Sequence, residues 1–118
     1  MITQQKGQHA EQRALAFLVE NGLKLVSQNY SCRLGEIDLI MRDGAYLVFA
    51  EVRARSSMRF GGGIASITYA KRKKIIKTTS YYLMKYKLQD RFPIRFDVLS
   101  IDGKGVITWL KDAFTADF

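Results

Sequence analysis

Gly35-Glu36-Ile37-Asp38-Leu39-Ile40-Met41-Arg42, then Asp43-Gly44, then Ala45-Tyr46-Leu47-Val48-Phe49-Ala50-Glu51-Val52-Arg53: the reading of this stretch decides the fold. Asp-Gly between two alternating apolar runs predicts a β-hairpin, because a tight turn needs central residues that tolerate positive φ. A two-residue turn sets Ile40 opposite Leu47, Asp38 opposite Phe49 and Glu36 opposite Glu51. Side chains alternate along a strand, so Glu36, Asp38, Glu51 and Arg53 share one face. Asp38 and Glu51 become diagonal neighbours about 7–8 Å apart. Longer turns that move the register by two residues keep that facing. Ile37, Leu39, Met41, Tyr46, Val48 and Val52 fill the other side.

Ile40, Leu47 and Phe49 lie on the acidic face, so both faces are apolar and the hairpin belongs near the middle of a covered sheet. Carboxylates in such a place need a positive partner. Arg53, a neighbouring lysine or a metal ion would each serve. Mg²⁺ takes oxygen ligands and needs only one or two protein carboxylates, with waters and substrate phosphate completing its shell. A structural Arg–Glu network satisfies the same pattern, and the residues alone leave both readings open.

The 118 residues suffice for one domain spanning 1–118. With 47% apolar and 12% aromatic residues the composition is that of a globular chain. A formal charge of +8 and a pI near 9.8 favour a polyanionic partner or an acidic membrane surface. No apolar run approaches the roughly 20 residues that cross a bilayer, so no membrane insertion is expected. Met1 to Lys6 lacks the apolar core of a secretory signal. A lone Cys32 excludes an internal disulfide, and one His with one Cys excludes a zinc site. These features together predict a cytoplasmic protein.

Gly7 to Asn21 has helical periodicity, with Thr3 as a cap and Gly22 as the stop. Ala10, Ala14, Leu15, Phe17 and Leu18 form its apolar stripe, and Glu11 falls inside that stripe between Leu18 and Leu15. An acid there breaks the local pattern, as residues at functional sites do, although a basic partner at the stripe's edge would explain it equally. Gly7 would allow close helix approach; His9, Gln12, Arg13 and Glu20 take the outer face. Leu23 to Tyr30 reads as a strand. Ser56 to Gly63 reads as a loop, followed by a short Ile64 to Ile67 segment. Ser66 or Thr68 can cap a second helix reaching about Leu88, with Ile75, Ile76, Thr79, Tyr82, Leu83 and Tyr86 inward and Arg72 in the same sector. This helix opens on Lys71-Arg72-Lys73-Lys74, the wrong sign for the positive end of its dipole and the right sign for binding phosphate. A solvated charge run gives the same sequence. Strands at Ile94 to Ile101 and Val106 to Leu110 follow. Asp97 beside Arg95 reads as structural, and Trp109 and Phe114 as packing residues.

Most of the chain, in order, resembles the YraN-like family of small bacterial proteins. The resemblance is carried by Gly7, Glu11, Ala14-Leu15, Asn29-Tyr30, Gly35 to Ile40, Val48 to Arg55, Lys71 with its basic neighbours, and Arg95-Phe96-Asp97-Val98. It implies an α/β, restriction-endonuclease-like fold, a central mixed β-sheet flanked by α-helices. This fold is related to archaeal Holliday-junction resolvases and built on the PD-(D/E)xK nuclease core. In that core an acid on the first helix, an Asp on one strand and the Glu of Glu-x-Lys on the next hold Mg²⁺ against a scissile phosphate. The matching positions are Glu11, Asp38 and Glu51, with Asp38 and Glu51 as the expected metal ligands for Mg²⁺ or Mn²⁺. The lysine of the pattern is Arg53 here. Arginine can clamp phosphate oxygens but cannot shuttle a proton, and Lys71 is the candidate for the vacated role. The resemblance thus implies an endonuclease acting on DNA, branched DNA included, with Lys71, Arg72 and Lys74 on the phosphate backbone. The alternative is a nucleic-acid-binding module that keeps the nuclease fold without its chemistry. Restriction-type folds often work as homodimers, and no interface is legible in the sequence.

Overall fold

The structure is a computed structural model that describes residues 2–54 and 67–116, with side chains described from Gln8 onward. Along the chain run α1 (Ile2–Glu20), β1 (Lys24–Cys32), β2 (Gly35–Asp43), β3 (Tyr46–Ala54), α2 (Tyr69–Lys85), β4 (Ile94–Ile101) and β5 (Ile107–Phe114). The strands form one sheet in the order β1-β2-β3-β4-β5. β3 and β4 are parallel and the other neighbours antiparallel. A parallel pair needs a long crossover, and α2 supplies it. Among the described residues no helix is long and apolar enough to cross a membrane.

The hairpin forms two residues out of the simplest register. Asp43 pairs with Tyr46 and Ile40 with Phe49, so the turn is Gly44-Ala45 rather than Asp43-Gly44. Gly44 has φ +59° at the first central position, where a type II′ turn needs glycine. A shift of two preserves facing, so Glu51 still looks to the side of Ile40 and Phe49.

Each face of the sheet is covered by one helix. Ala10, Ala14 and Leu18 of α1 pack with Leu39, Met41, Val48, Ala50 and Leu99. Ile75 and Tyr82 of α2 pack with Ile37, Ile40, Leu47, Phe49 and Phe96. The central strands are therefore apolar on both sides, as their sequence requires. One assignment fails: Ile37 joins the α2 cluster instead of lying with Leu39 and Met41. Strict alternation would put residues 37 and 39 together, so the strand changes facing at Asp38.

The helix ends differ from expectation. α1 already includes Thr3, which therefore is not its cap. Thr68 does cap α2, its side-chain oxygen accepting the Lys71 amide at 3.2 Å. Ser66, the loop at 56–63, Arg55 and the surroundings of Gly7 lie outside the described residues. On α2 the buried positions are Ile75, Thr78, Thr79 and Tyr82, whereas Tyr86 is 51% exposed and not part of the inner stripe. Thr78 presses on Gly35, where an added Cβ would sit 2.7 Å from its Oγ1. That hydroxyl donates to the Lys74 carbonyl at 2.8 Å, so it is not free to move aside. Only glycine lets α2 lie this close to β2.

β5 runs four residues past the predicted end at Leu110. A register shift between Phe96 and Val98 carries it through a bulge, with Asp112 at φ +55°. The bulge aims the Asp112 amide at Asp97, which accepts it at 3.0 Å. Asp97 is 1% exposed and also accepts from Arg95 Nε (2.9 Å), Arg95 Nη2 (2.8 Å) and Trp109 Nε1 (2.9 Å). Arg95 in turn reaches Asp43 at 2.9 Å. Trp109 meets Phe17 edge-on, centroids 5.9 Å apart. The structural reading of Asp97 and Trp109 thus holds. Removing one charge from a buried pair typically costs about 3–5 kcal/mol. Asp97→Asn should lower unfolding free energy by about that amount in urea titrations followed by circular dichroism. A loss below about 1 kcal/mol would place the network among weak surface pairs.

Candidate active site

Past Leu39–Ala50 the β2–β3 ladder would next set Asp38 level with Glu51. The backbone pairing stops there. The Val52 N–H donates to Asp38 Oδ2 at 2.8 Å, so a carboxylate occupies the place of a backbone carbonyl. On the other flank, β1 pairs through Gln28–Leu39 and Tyr30–Ile37, and Asn29 between them has φ +51°. Asn tolerates that conformation better than most residues because its short amide can bond locally. Both neighbours of Asp38 are irregular at its level, and the change of facing between Ile37 and Leu39 happens here.

Glu51 sits beside Asp38 with its side chain 16% exposed, and Arg53 Nη1 lies 3.9 Å from Glu51 Oε2. Burial pushes the Glu51 carboxyl up to about 9, reinforced by its hydrogen bond to Asp38 and by the Asp38 charge. Arg53 and Lys71 act in the opposite direction. Two carboxyl groups can hydrogen-bond only through a shared proton, so the contact with Asp38 and the burial of Glu51 act in the same direction. Glu11 approaches from α1. Burial first, then the charges of Asp38 and Glu36, raise its carboxyl to about 7, against a hydrogen bond from Asn29. Glu11 is half-buried, with Asn29 and Asp38 acting on its carboxyl.

The structure thus gathers Asp38, Glu51, Arg53 and Lys71, with Glu11 bearing on Asp38 from the opposite helix. Glu36 is exposed and contributes only its charge. Among the described residues no three His, Cys, Asp or Glu side chains form a ready-made metal cage. The Asp38–Glu51 pair is the donor set on offer. Of the basic residues, Lys71 and Lys74 are exposed. Arg72 is half-buried, with its guanidinium 5.8 Å over the Phe114 ring and its Nε without a hydrogen-bond partner. Below the acids, Glu36, Ile37, Phe49, Ala50, Glu51 and Ile75 line a crevice too tight for water. Asn29 is the site residue that pattern reading missed. Its signal was there, since asparagine is depleted in strand interiors.

Between the ordinary Glu value and about 9, the folded chain holds a proton at Glu51 that the unfolded chain has released. Stability therefore falls as pH rises through this window. Glu51→Gln keeps a donor towards Asp38 and removes that proton uptake. Its melting temperature should decline less than the wild type's between pH of about 5 and 9. Parallel curves would show that Glu51 ionises like an exposed glutamate.

The chain has close relatives in bacteria. A UPF0102 protein of Legionella pneumophila (strain Philadelphia 1) is 71% identical over 116 residues, 98% of each chain. One from Nitrosomonas europaea is 50% identical over 111 residues, 92% of each. One from Janthinobacterium sp. (strain Marseille) is 48% identical over 110 residues, 93% of this chain and 87% of the relative. Residues 10–101, which contain Glu11, Asn29, Asp38, Glu51, Arg53 and Lys71, match the uncharacterised protein family UPF0102. That is the family to which the YraN-like resemblance pointed, and the chain belongs to it.

Proposed function

We propose that this protein is a Mg²⁺- or Mn²⁺-dependent endonuclease of the restriction-endonuclease-like type, hydrolysing phosphodiester bonds in DNA. The observation that carries the reading is the contact of two carboxyl groups, Asp38 and Glu51, at the place where β2 and β3 part. Two oxygen donors that share one proton suit a hard dication, which would replace that proton and relieve the repulsion between them. When bound, the cation supplies a Lewis acid for the phosphoryl oxygens. The mixed sheet with a parallel β3–β4 pair and a helix on each face supports the nuclease-like and resolvase-like ancestry.

The remaining roles belong to the chain. Arg53 is placed to grip phosphate oxygens through two N–H groups as negative charge builds on them. Glu11, raised to about 7, can take or return a proton near neutrality through an intervening water. Lys71 and Lys74, exposed on the first turns of α2, hold the phosphate backbone, and Arg72 stiffens that end of the helix by packing on Phe114.

Two variants test this. Asn at position 38 retains an oxygen that can accept the Val52 amide but loses the anion. Asp38→Asn should therefore stay folded while Mg²⁺-stimulated cleavage of labelled branched DNA falls by at least about a hundredfold. Undiminished cleavage removes Asp38 from the site. Arg53→Lys restores a titratable amine and should raise cleavage by about tenfold or more with little change in DNA affinity. One observation favours a second reading, a binding module without turnover: Arg53 stands where a proton-handling lysine is expected. Steeply salt-dependent DNA binding by both proteins, with no cutting under any divalent ion, would establish that module instead.

A further inference from the structure

We infer that an open groove along the C-terminal half of α2 binds a single-stranded segment of the nucleic acid, with a base stacked on Tyr81. The inference rests on the nucleic-acid reading above and specifies which form of DNA the surface takes. The groove has a volume of about 450 Å³ and is lined by Leu34, Lys77, Ser80, Tyr81, Met84 and Gln89. That volume lies in the range of small-molecule sites, enough for a nucleoside.

The groove's position connects it to the site. Leu34 precedes Gly35, against which Thr78 of α2 is pressed, and Glu36 follows. Lys74, Lys77, Tyr81 and Met84 are spaced by three, four and three residues, so they share one face of α2. That face begins one turn after Lys71, the lysine whose charge acts on Glu51. A strand leaving the acid pair would pass Lys71 and Lys74 and then enter the groove.

Charge and surface chemistry select the occupant. α2 carries Lys71, Arg72, Lys73, Lys74, Lys77 and Lys85 and no acidic residue. Its cations lie beside large apolar groups that stay in water: Met84 is 55% exposed and Leu34 37%. A duplex presents phosphates and keeps its base faces stacked inside, so it has no use for an apolar floor. A single strand offers both, phosphates to the lysines and base faces to the Tyr81, Leu34 and Met84 side chains that line the groove. The basic flank opposes a second copy of this helix, which would bring like charges together.

The test uses the full chain in metal-free buffer, so that binding is read without cleavage. The probes are a fluorescein-labelled oligothymidylate and its duplex with oligoadenylate. Wild type should prefer the single strand. Tyr81→Ala should weaken that binding by about tenfold, leaving the duplex unaffected, and Tyr81→Phe, which keeps the ring, should restore it. Met84→Glu, at an exposed position, should weaken it as well. Unchanged single-strand affinity in Tyr81→Ala and Met84→Glu overturns the inference while leaving a duplex nuclease intact. A dimer that these variants split in sedimentation, at constant DNA affinity, overturns it in favour of self-association. Failure of wild type to bind either probe removes the DNA reading itself, and the groove's role with it.

Discussion

The candidate site depends on one hydrogen bond, from the Val52 amide to the Asp38 carboxylate. A backbone N–H inside a sheet must be satisfied, and here the neighbouring strand has turned away before it can offer a carbonyl. Asp38 substitutes a side-chain oxygen at 2.8 Å, a bond strengthened by its charge. The exchange holds β2 and β3 apart without leaving an orphaned donor. It also fixes a carboxylate within hydrogen-bond reach of Glu51. A proton shared within the pair and the nearby cations of Arg53 and Lys71 offset the repulsion between the two acids.

A comparison within the molecule shows why this pair is a candidate for chemistry and Asp97 is not. Asp97 is more deeply buried, yet it accepts four hydrogen bonds, two from Arg95, one from Trp109 and one from the Asp112 amide. Its oxygens have little capacity left for anything else. Among the described residues, the Asp38–Glu51 pair accepts one backbone amide, that of Val52, with Arg53 Nη1 3.9 Å from Glu51. Burial alone does not separate a structural acid from a working one. The number of donors already spent on it does.

Much of this was legible in the order of residues. The apolar runs around Asp43-Gly44 placed the hairpin, and their double-sided character placed it mid-sheet. Facing survived the register error because a shift of two leaves parity intact. Glu11 declared itself by standing inside an apolar stripe. The fork did not, because a period of two is the only rule a strand pattern supplies, and the fork is where that rule breaks. Asn29 at φ +51° and the switch of facing between Ile37 and Leu39 need the partner strands to be seen. Thr78 was passed over for the same reason: only the approach of Gly35 makes a threonine there part of the core. The extension of β5 through Lys111-Asp112 was hidden because two polar residues in succession read as an end, whereas a bulge absorbs them.

Arg53 shapes how the site can work. A lysine beside two acids could give up its proton and accept one from water; an arginine stays charged at any pH the protein meets. Its contribution is therefore a fixed field, which acts on Glu51 against burial and the Asp38 charge. If the pair works as proposed, proton traffic would fall to groups whose charge changes near neutrality, and Glu11, raised to about 7, is such a group. That carboxyl owes its raised value chiefly to burial and then to Asp38, so a cation placed on Asp38 would lower it and turn Glu11 towards the ionised, accepting form. On the proposed reading, what loads the acid pair also readies the third acid, while the charge at residue 53 stays constant and can be directed at the phosphate.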